Sequence, residues 1–222
     1  MTFEFESARV ISDKGRRWRQ AMDVCDVLDI DCHHSNAVFL SERAAQKCTS
    51  RVLANERQSF TKGTIGAYMA HQEVWRAIAA SQNKESWHVV LEDDVSLPDM
   101  NTNDVQKRIT DEMNAATALG NDFVQLGGSK GLTPALHAYA LRPSAASRLF
   151  EISAECGAIE RSAADLARDA CRHNEISCAR MTEDIPNRSY TRTDGILKQL
   201  KRTNDNPSHT RPLVRDQQRL LD

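Results

Sequence analysis

Residues 87–98 read Trp-His-Val-Val-Leu-Glu-Asp-Asp-Val-Ser-Leu-Pro, an apolar run that stops on three consecutive acids. Val89, Val90 and Leu91 have the bulk of a strand buried on both faces. Glu92, Asp93 and Asp94 repel one another, and something must neutralise them. Carboxylates at the carboxyl end of a strand in an α/β sheet put hard oxygen ligands where such folds bind substrate. The stretch therefore predicts a divalent metal site that holds a phosphate-bearing ligand, with a solvated acidic turn as the plain alternative.

Upstream of this strand, residues 61–81 carry the clearest helical period, with Tyr68, His71, Trp75 and Ile78 on one stripe. Before it the chain reads as β-α-β-α. A first strand at 8–11 leads to a helix from Asp13 to Leu28, capped by Ser12 or Asp13, and a second strand at 37–40 runs into a helix that begins after Ser41. Downstream, a helix is expected from Asp104 to Leu119 and a strand at 123–126, closed by Gly127 and Gly128, whose missing side chains permit close approach to a ligand. A further strand at 137–141 precedes a helix with Pro143 in its first turn, and Ser162 opens a helix reaching Arg172. This alternation implies one α/β domain over 1–186, a mainly parallel sheet flanked by helices. From 187 to 222 apolar period is lost and Lys198, Lys201, Arg202, Arg211 and Arg215 accumulate, the pattern of a loosely ordered basic tail able to touch phosphates or a membrane surface.

At 222 residues the chain is long enough for one α/β domain and short for two. Hydrophobic residues at 40% and charged residues at 27% are ordinary for a soluble protein, and 31 acids against 29 bases give no field that would attract nucleic acid. The opening residues have no apolar core of signal-peptide length, and no run approaches the ~18–20 apolar residues of a membrane span. A cytoplasmic address is expected, with the tail peripheral to the membrane. Cysteines 25, 32, 48, 156, 171 and 178 include no C-x-x-C, so reduced thiols are expected. Cys25, Cys32, His33 and His34, like Cys171, His173 and Cys178, fit no zinc spacing.

Two stretches taken together, TKGTIGAYMAHQEVWRAI at 61–78 and HVVLEDDV at 88–95, resemble glycosyltransferase family 25, the lipopolysaccharide and collagen galactosyltransferase group. Members of that family carry a G-x-x-x-S-H helix before an apolar strand ending in E-D-D. HAYALRPSAASRLFE at 137–151 is similar to the family's later strand and helix. The resemblance implies a GT-A type fold, manganese or magnesium (Mn2+ or Mg2+), and inverting transfer of a hexose, galactose above all, from a UDP-sugar to a glycan or glycolipid acceptor. In this chain the family motif falls on Gly66 and Ala70-His71, with Ala replacing Ser and so losing a hydroxyl.

Physical chemistry gives these residues matching tasks. Asp94 is the first candidate metal ligand, and Glu92 is the second or meets the ribose. A metal bridging diphosphate oxygens stabilises the leaving group. Asp93, on the opposite side of the strand, is left for substrate or for holding the loop. His71 is a ligand-side candidate or a core histidine bonded to backbone. Arg16 and Arg17, after the first strand, stand where the family has basic residues and could meet phosphates. A general base is required, and Asp165, Glu160 and Asp122 are the candidates, although Ser162-x-x-Asp165 also fits a helix cap. Two other readings suit the same acids: a phosphohydrolase or nucleotidyltransferase, and a degenerate fold that binds a sugar nucleotide without turnover.

Overall fold

Val89 and Leu91 face one side of the central strand and Val90 the other, and all three are wholly buried. That strand, β3 (Trp87–Glu92), can be apolar on both faces because helices cover both. The computed structural model describes residues 3–15, 17–41, 61–128, 136–155, 159, 161–179 and 197–199. A six-stranded sheet runs in the order β2 (Cys32–Asn36), β1 (Phe5–Ser12), β3, β7 (Ala138–Leu141), β5 (Phe123–Gln125), β8 (Cys178–Ala179). Its pairings are parallel except where β7 meets β3 and β5, so only β7 runs against the rest. The expected mainly parallel α/β sheet is present.

Alternation along the strands sorts the core into two layers. Ala8, Val10, Val89, Leu91, Ala138 and Ala140 pack with Val24 of α1 (Trp18–Leu28) and with Ile109 and Met113 of α3 (Thr102–Ala118). Ile11, Val90, Tyr139 and Leu141 pack on the opposite face with α2 (Lys62–Ala79), α4 (Pro143–Glu155) and α5 (Ala163–Arg172). Burying a side chain such as Leu91 contributes about 1.5–3 kcal/mol, and cutting it to Ala costs roughly 2–5 kcal/mol. Thr61 caps α2, its hydroxyl accepting from the Thr64 N–H at 3.1 Å, and Ser162 caps α5 likewise through Asp165 N–H at 3.1 Å.

Several expectations are corrected. The second strand is the polar stretch 32–36 rather than the apolar 37–40, because β2 is an edge strand whose place is set by its pairing with Ala8–Ser12 of β1. Residues 37–40 instead cross beside α2. A side chain at Gly66 would overlap the Val38 carbonyl oxygen, so glycine there admits the crossing. Helix α1 begins at Trp18, not Asp13, and no side chain caps it. Ser12 and Asp13 accept from the Lys14 and Gly15 N–H groups and build the preceding loop. The helix expected after Ser41 lies outside the described residues.

Four of the six thiols expected to be reduced are paired, Cys25 with Cys32 and Cys171 with Cys178, at Cα separations of 6.2 and 5.7 Å, while Cys48 and Cys156 lie outside the described residues. Each pair joins the end of a helix to the start of the next strand, β2 or β8, and these are the two edge strands. Such bonds persist mainly in oxidising compartments, which removes one support of the cytoplasmic expectation. Among the described residues no helix is long and apolar enough to cross a membrane. Finally, part of the expected tail belongs to the fold. Leu197–Gln199 forms β9, which lies between β4 (Val95–Ser96) and β6 (Gly127–Gly128), and Leu197 is wholly buried.

Candidate functional site

Strand pairing decides where the acids begin. β1 and β3 are in register at Ile11 and Glu92, and the Asp93 N–H donates to the Ile11 carbonyl at 3.1 Å. On the other side the Glu92 N–H donates to the His137 carbonyl at 2.8 Å. Glu92 is thus the last residue of the ladder, and Asp93 and Asp94 form the turn into β4 at the carboxyl edge of the parallel strands. This is the edge at which open α/β sheets bind ligands.

Asp93 faces the loop after β1. The Ser12 hydroxyl donates to Asp93 Oδ2 at 3.1 Å, and Arg17 Nη2 lies 3.4 Å from Oδ1. Burial raises the Asp93 pKa above the ordinary carboxylate range. The Arg17 charge and the Ser12 hydrogen bond pull it back, and the charges of Asp94 and Asp13 push it up again. Ser12 also accepts from Lys14 N–H at 2.9 Å, and Lys14 itself takes a left-handed backbone, φ 59°. His34 of β2 donates from Nε2 to the Ser12 carbonyl at 2.8 Å, and Trp18 packs edge-on to its ring. The ends of β2, β1 and β3 are therefore fastened together, with Arg17 supplying positive charge beside Asp93.

Glu92 faces the other way, toward α2. His71 Nε2 lies 3.1 Å from Glu92 Oε1, and His71 Nδ1 lies 2.9 Å from the Tyr139 hydroxyl. The Trp75 indole N–H donates to the same hydroxyl at 2.9 Å. An indole nitrogen only donates and an ionised carboxylate only accepts, so the ends of this chain have fixed polarity. Nε2 carries a proton toward Glu92, and in the neutral ring Nδ1 accepts from Tyr139. Burial holds the Tyr139 pKa well above its ordinary value, countered by the Trp75 hydrogen bond and reinforced by the Glu92 charge, so the phenol keeps its proton. His71 does occupy the core, as one expectation had it, but its partners are side chains rather than backbone.

Asp94 is 3% exposed. His137 is wholly buried, and its Nε2 lies 3.5 Å from the Leu197 carbonyl of β9. Burial lowers the His137 pKa, while the Leu197 carbonyl and then the charges of Asp94 and Glu92 raise it. A side chain on Gly127 would overlap the His137 ring, so the glycine expected to admit a ligand here admits an imidazole.

The structure thus brings Glu92, Asp93, Asp94, His71 and Arg17 together, with Gly66 further along α2. Asp122 is not among them. It lies at the start of β5, and Phe123 pairs through Leu141 with the His88 end of β3, the edge opposite Glu92. Asp165 is held in its cap, 2.7 Å from the Ser162 hydroxyl and 2.5 Å from Arg168 Nη2. Arg16 and Glu160 lie outside the described residues. Sequence reading placed Ser12 only as a helix cap, set His34 aside as a zinc ligand, and gave no part in this site to Tyr139 or His137.

Carboxylate oxygens are the donors that a hard cation takes. Glu92 and Asp94 offer carboxylate oxygens, and among the described residues no three His, Cys, Asp or Glu side chains converge into an all-protein cage. A cation here would be shared between one or two carboxylates and the oxygens of a bound diphosphate, the habit of magnesium and manganese. A cleft of about 470 Å³ lies elsewhere, among Glu6, Asp26, Asp29 and Asp31 at the other sheet edge, where four acids would repel a diphosphate.

Comparison with known proteins points to the glycosyltransferases. Residues 23–130, just under half of the chain, match the model described as glycosyltransferase family 25 (LPS biosynthesis protein). That stretch holds His71 and the acidic turn and ends before Tyr139. No curated protein matches the chain in sequence. Among solved structures it is similar to the crystal structure of a glycosyltransferase involved in the glycosylation of the major capsid of PBCV-1. The identity is 10% and the TM-score 0.41, over 69% of this chain and 65% of that one.

Proposed function

We propose that this protein transfers a hexose, galactose by the family resemblance, from a UDP-sugar to a glycan or glycolipid acceptor with inversion. The observation that carries the reading is the acidic turn at the carboxyl edge of β3, braced by Ser12 and Arg17 on one side and by His71 on the other. With the family match over that turn, this arrangement supports a GT-A type donor site. The acceptor oxygen attacks the anomeric carbon, the bond from that carbon to the diphosphate oxygen breaks, UDP leaves, and the hydroxyl proton passes to a base.

Glu92 and Asp94 would hold the manganese or magnesium ion, which when bound offsets the charge that builds on the departing diphosphate. Arg17 adds positive charge on the β1 side, and Asp93 keeps its loop in place. Of the three candidate bases, Asp122 is at the wrong edge and Asp165 is engaged in a cap. Glu160 remains as the base of this proposal.

The test is incubation with UDP-galactose, manganese and a panel of glycan and lipid-linked glycan acceptors, following UDP release and transfer separately. Metal-dependent transfer that fails in Glu92→Gln supports the proposal. Release of inorganic phosphate from nucleotides without sugar transfer would instead make the turn a phosphohydrolase site.

A further inference from the structure

We infer that Tyr139 and Trp75 are positioning residues for Glu92, acting through a single tautomer of His71; this rests on the donor-site reading of the acidic turn. Trp75 and His71 are one helical turn apart on α2 and face the sheet, while Tyr139 stands on β7, the neighbour of β3. All three are at most 1% exposed. Their donors run one way: indole N–H to the Tyr139 oxygen, Tyr139 O–H to His71 Nδ1, His71 Nε2–H to Glu92 Oε1. The chain starts on a group that can only donate and ends on one that only accepts, so no member can reverse without stranding a neighbour.

Glu92 is the member that reaches the surface, with its side chain 26% exposed. A donor is therefore always presented to one of its oxygens, and the carboxylate is held in one orientation before any ligand arrives. Without the Tyr139 hydroxyl, Nδ1 loses its donor and the imidazole is free to carry its proton there. A bare Nε2 would then face the Glu92 oxygen and push the carboxylate aside. Removing groups that orient a metal-binding side chain weakens metal affinity by about 10–100-fold. Tyr139 is also stacked on Phe123, with centroids 5.3 Å apart, so replacing it with Phe keeps the packing and removes only the hydroxyl.

The experiment compares wild type, Tyr139→Phe and Trp75→Phe by nitrogen NMR of the imidazole rings at about pH 8, where imidazoles are neutral. His71 is assigned by its loss in His71→Gln. Each protein is also titrated with UDP in the presence of manganese. The expected result is one Nε2–H tautomer in wild type, a mixture in Tyr139→Phe, and UDP affinity weakened about 10–100-fold. Trp75→Phe moves both readouts the same way by less, and it carries the test if Tyr139→Phe does not fold. A fixed tautomer in the variants, or a released tautomer with unchanged affinity, overturns the inference, even if the melting temperature falls. Should wild type bind no UDP at all, the proposed function fails by itself. The inference then stands or falls on whether the tautomer is released.

Discussion

Two histidine–glutamate pairs stand at opposite ends of β3, and they are built differently. At the carboxyl end His71 and Glu92 belong to a one-way chain of donors that finishes on a carboxylate at the surface. At the amino end His88 Nε2 lies 3.6 Å from Glu6, and hydroxyls surround the pair. Ser7 is 3.1 Å from His88 Nδ1, Ser86 donates to Glu6, and Ser81 lies 3.3 Å from both Glu6 oxygens. The Ser86 and Ser81 hydroxyls can only give to the Glu6 carboxylate, but the Ser7 hydroxyl can either give to or accept from His88 Nδ1, so no one-way chain runs through this network. It joins the start of β1 to the start of β3, and the two disulfides fasten the edge strands at the same end. One end of the sheet is constructed for holding, the other for presenting an acid.

The largest contrast is expected in turnover. Glu92→Gln should reduce sugar transfer by about 10²–10³, the cost typical of losing a group that stabilises charge in the transition state. Glu6→Gln should leave transfer unchanged. Steady-state rates on the two variants check this, and equal losses would erase the distinction between the ends.

Next come the disulfides. Each closes a short loop, with a sequence separation of 7. Loop entropy then gives roughly 2–3 kcal/mol for each. Cys25→Ser and Cys171→Ser should lower the urea midpoint accordingly while UDP affinity stays constant.

A smaller effect concerns acid. Burial pushes the His88 pKa below its ordinary value, partly offset by the Glu6 charge, with Arg9 pushing the same way as burial. As pH falls below about 6.5 the unfolded chain protonates first, so stability is lost from there down toward the depressed native value. The slope is at most ~1.4 kcal/mol per pH unit for this one proton. His88→Gln should flatten the dependence of melting temperature on pH between about 7.5 and 5.5. The slope should not vanish, because burial depresses His137 in the same direction.

The smallest effect is assigned to Arg17. Its side chain is 45% exposed beside Asp93, so Arg17→Ala should cost no more than about 1 kcal/mol in chemical unfolding. A larger loss would mean that the brace on the β1 side is stronger than an exposed ion pair.

How much of this was legible in sequence depends on the range of the interaction. β3 was readable because an unbroken apolar run stopping on acids is a local pattern. α2 was readable because Tyr68, His71, Trp75 and Ile78 share a stripe, and all four are buried. The Ser162 cap was local as well. The strand at 32–36 was not readable, since CHHSN is polar and its identity comes from pairing with β1. The disulfides were missed because each spans the end of a helix and the turn after it, and no short cysteine motif marks that spacing. Within the candidate site, the three acids and His71 stand out by spacing and family resemblance. Their braces were not, because Ser12 and Asp93 are 81 residues apart and His71 and Tyr139 are 68 apart. Asp122 was a reasonable carboxylate on composition, and only the antiparallel pairing of β5 with β7 puts it at the far edge.

The central claim, that the carboxyl edge of β3 is a metal-dependent nucleotide site, is tested most directly by thermal unfolding of wild type, Asp94→Asn and Glu6→Gln, each with and without manganese plus UDP. At ~100 times the dissociation constant, binding adds about 2.7 kcal/mol, a rise in melting temperature of roughly 5–10 °C for a chain of this size. The account predicts that rise in wild type and in Glu6→Gln, only when metal and UDP are both present, and its loss in Asp94→Asn. A rise that persists in Asp94→Asn, or no rise in any of the three, would contradict it.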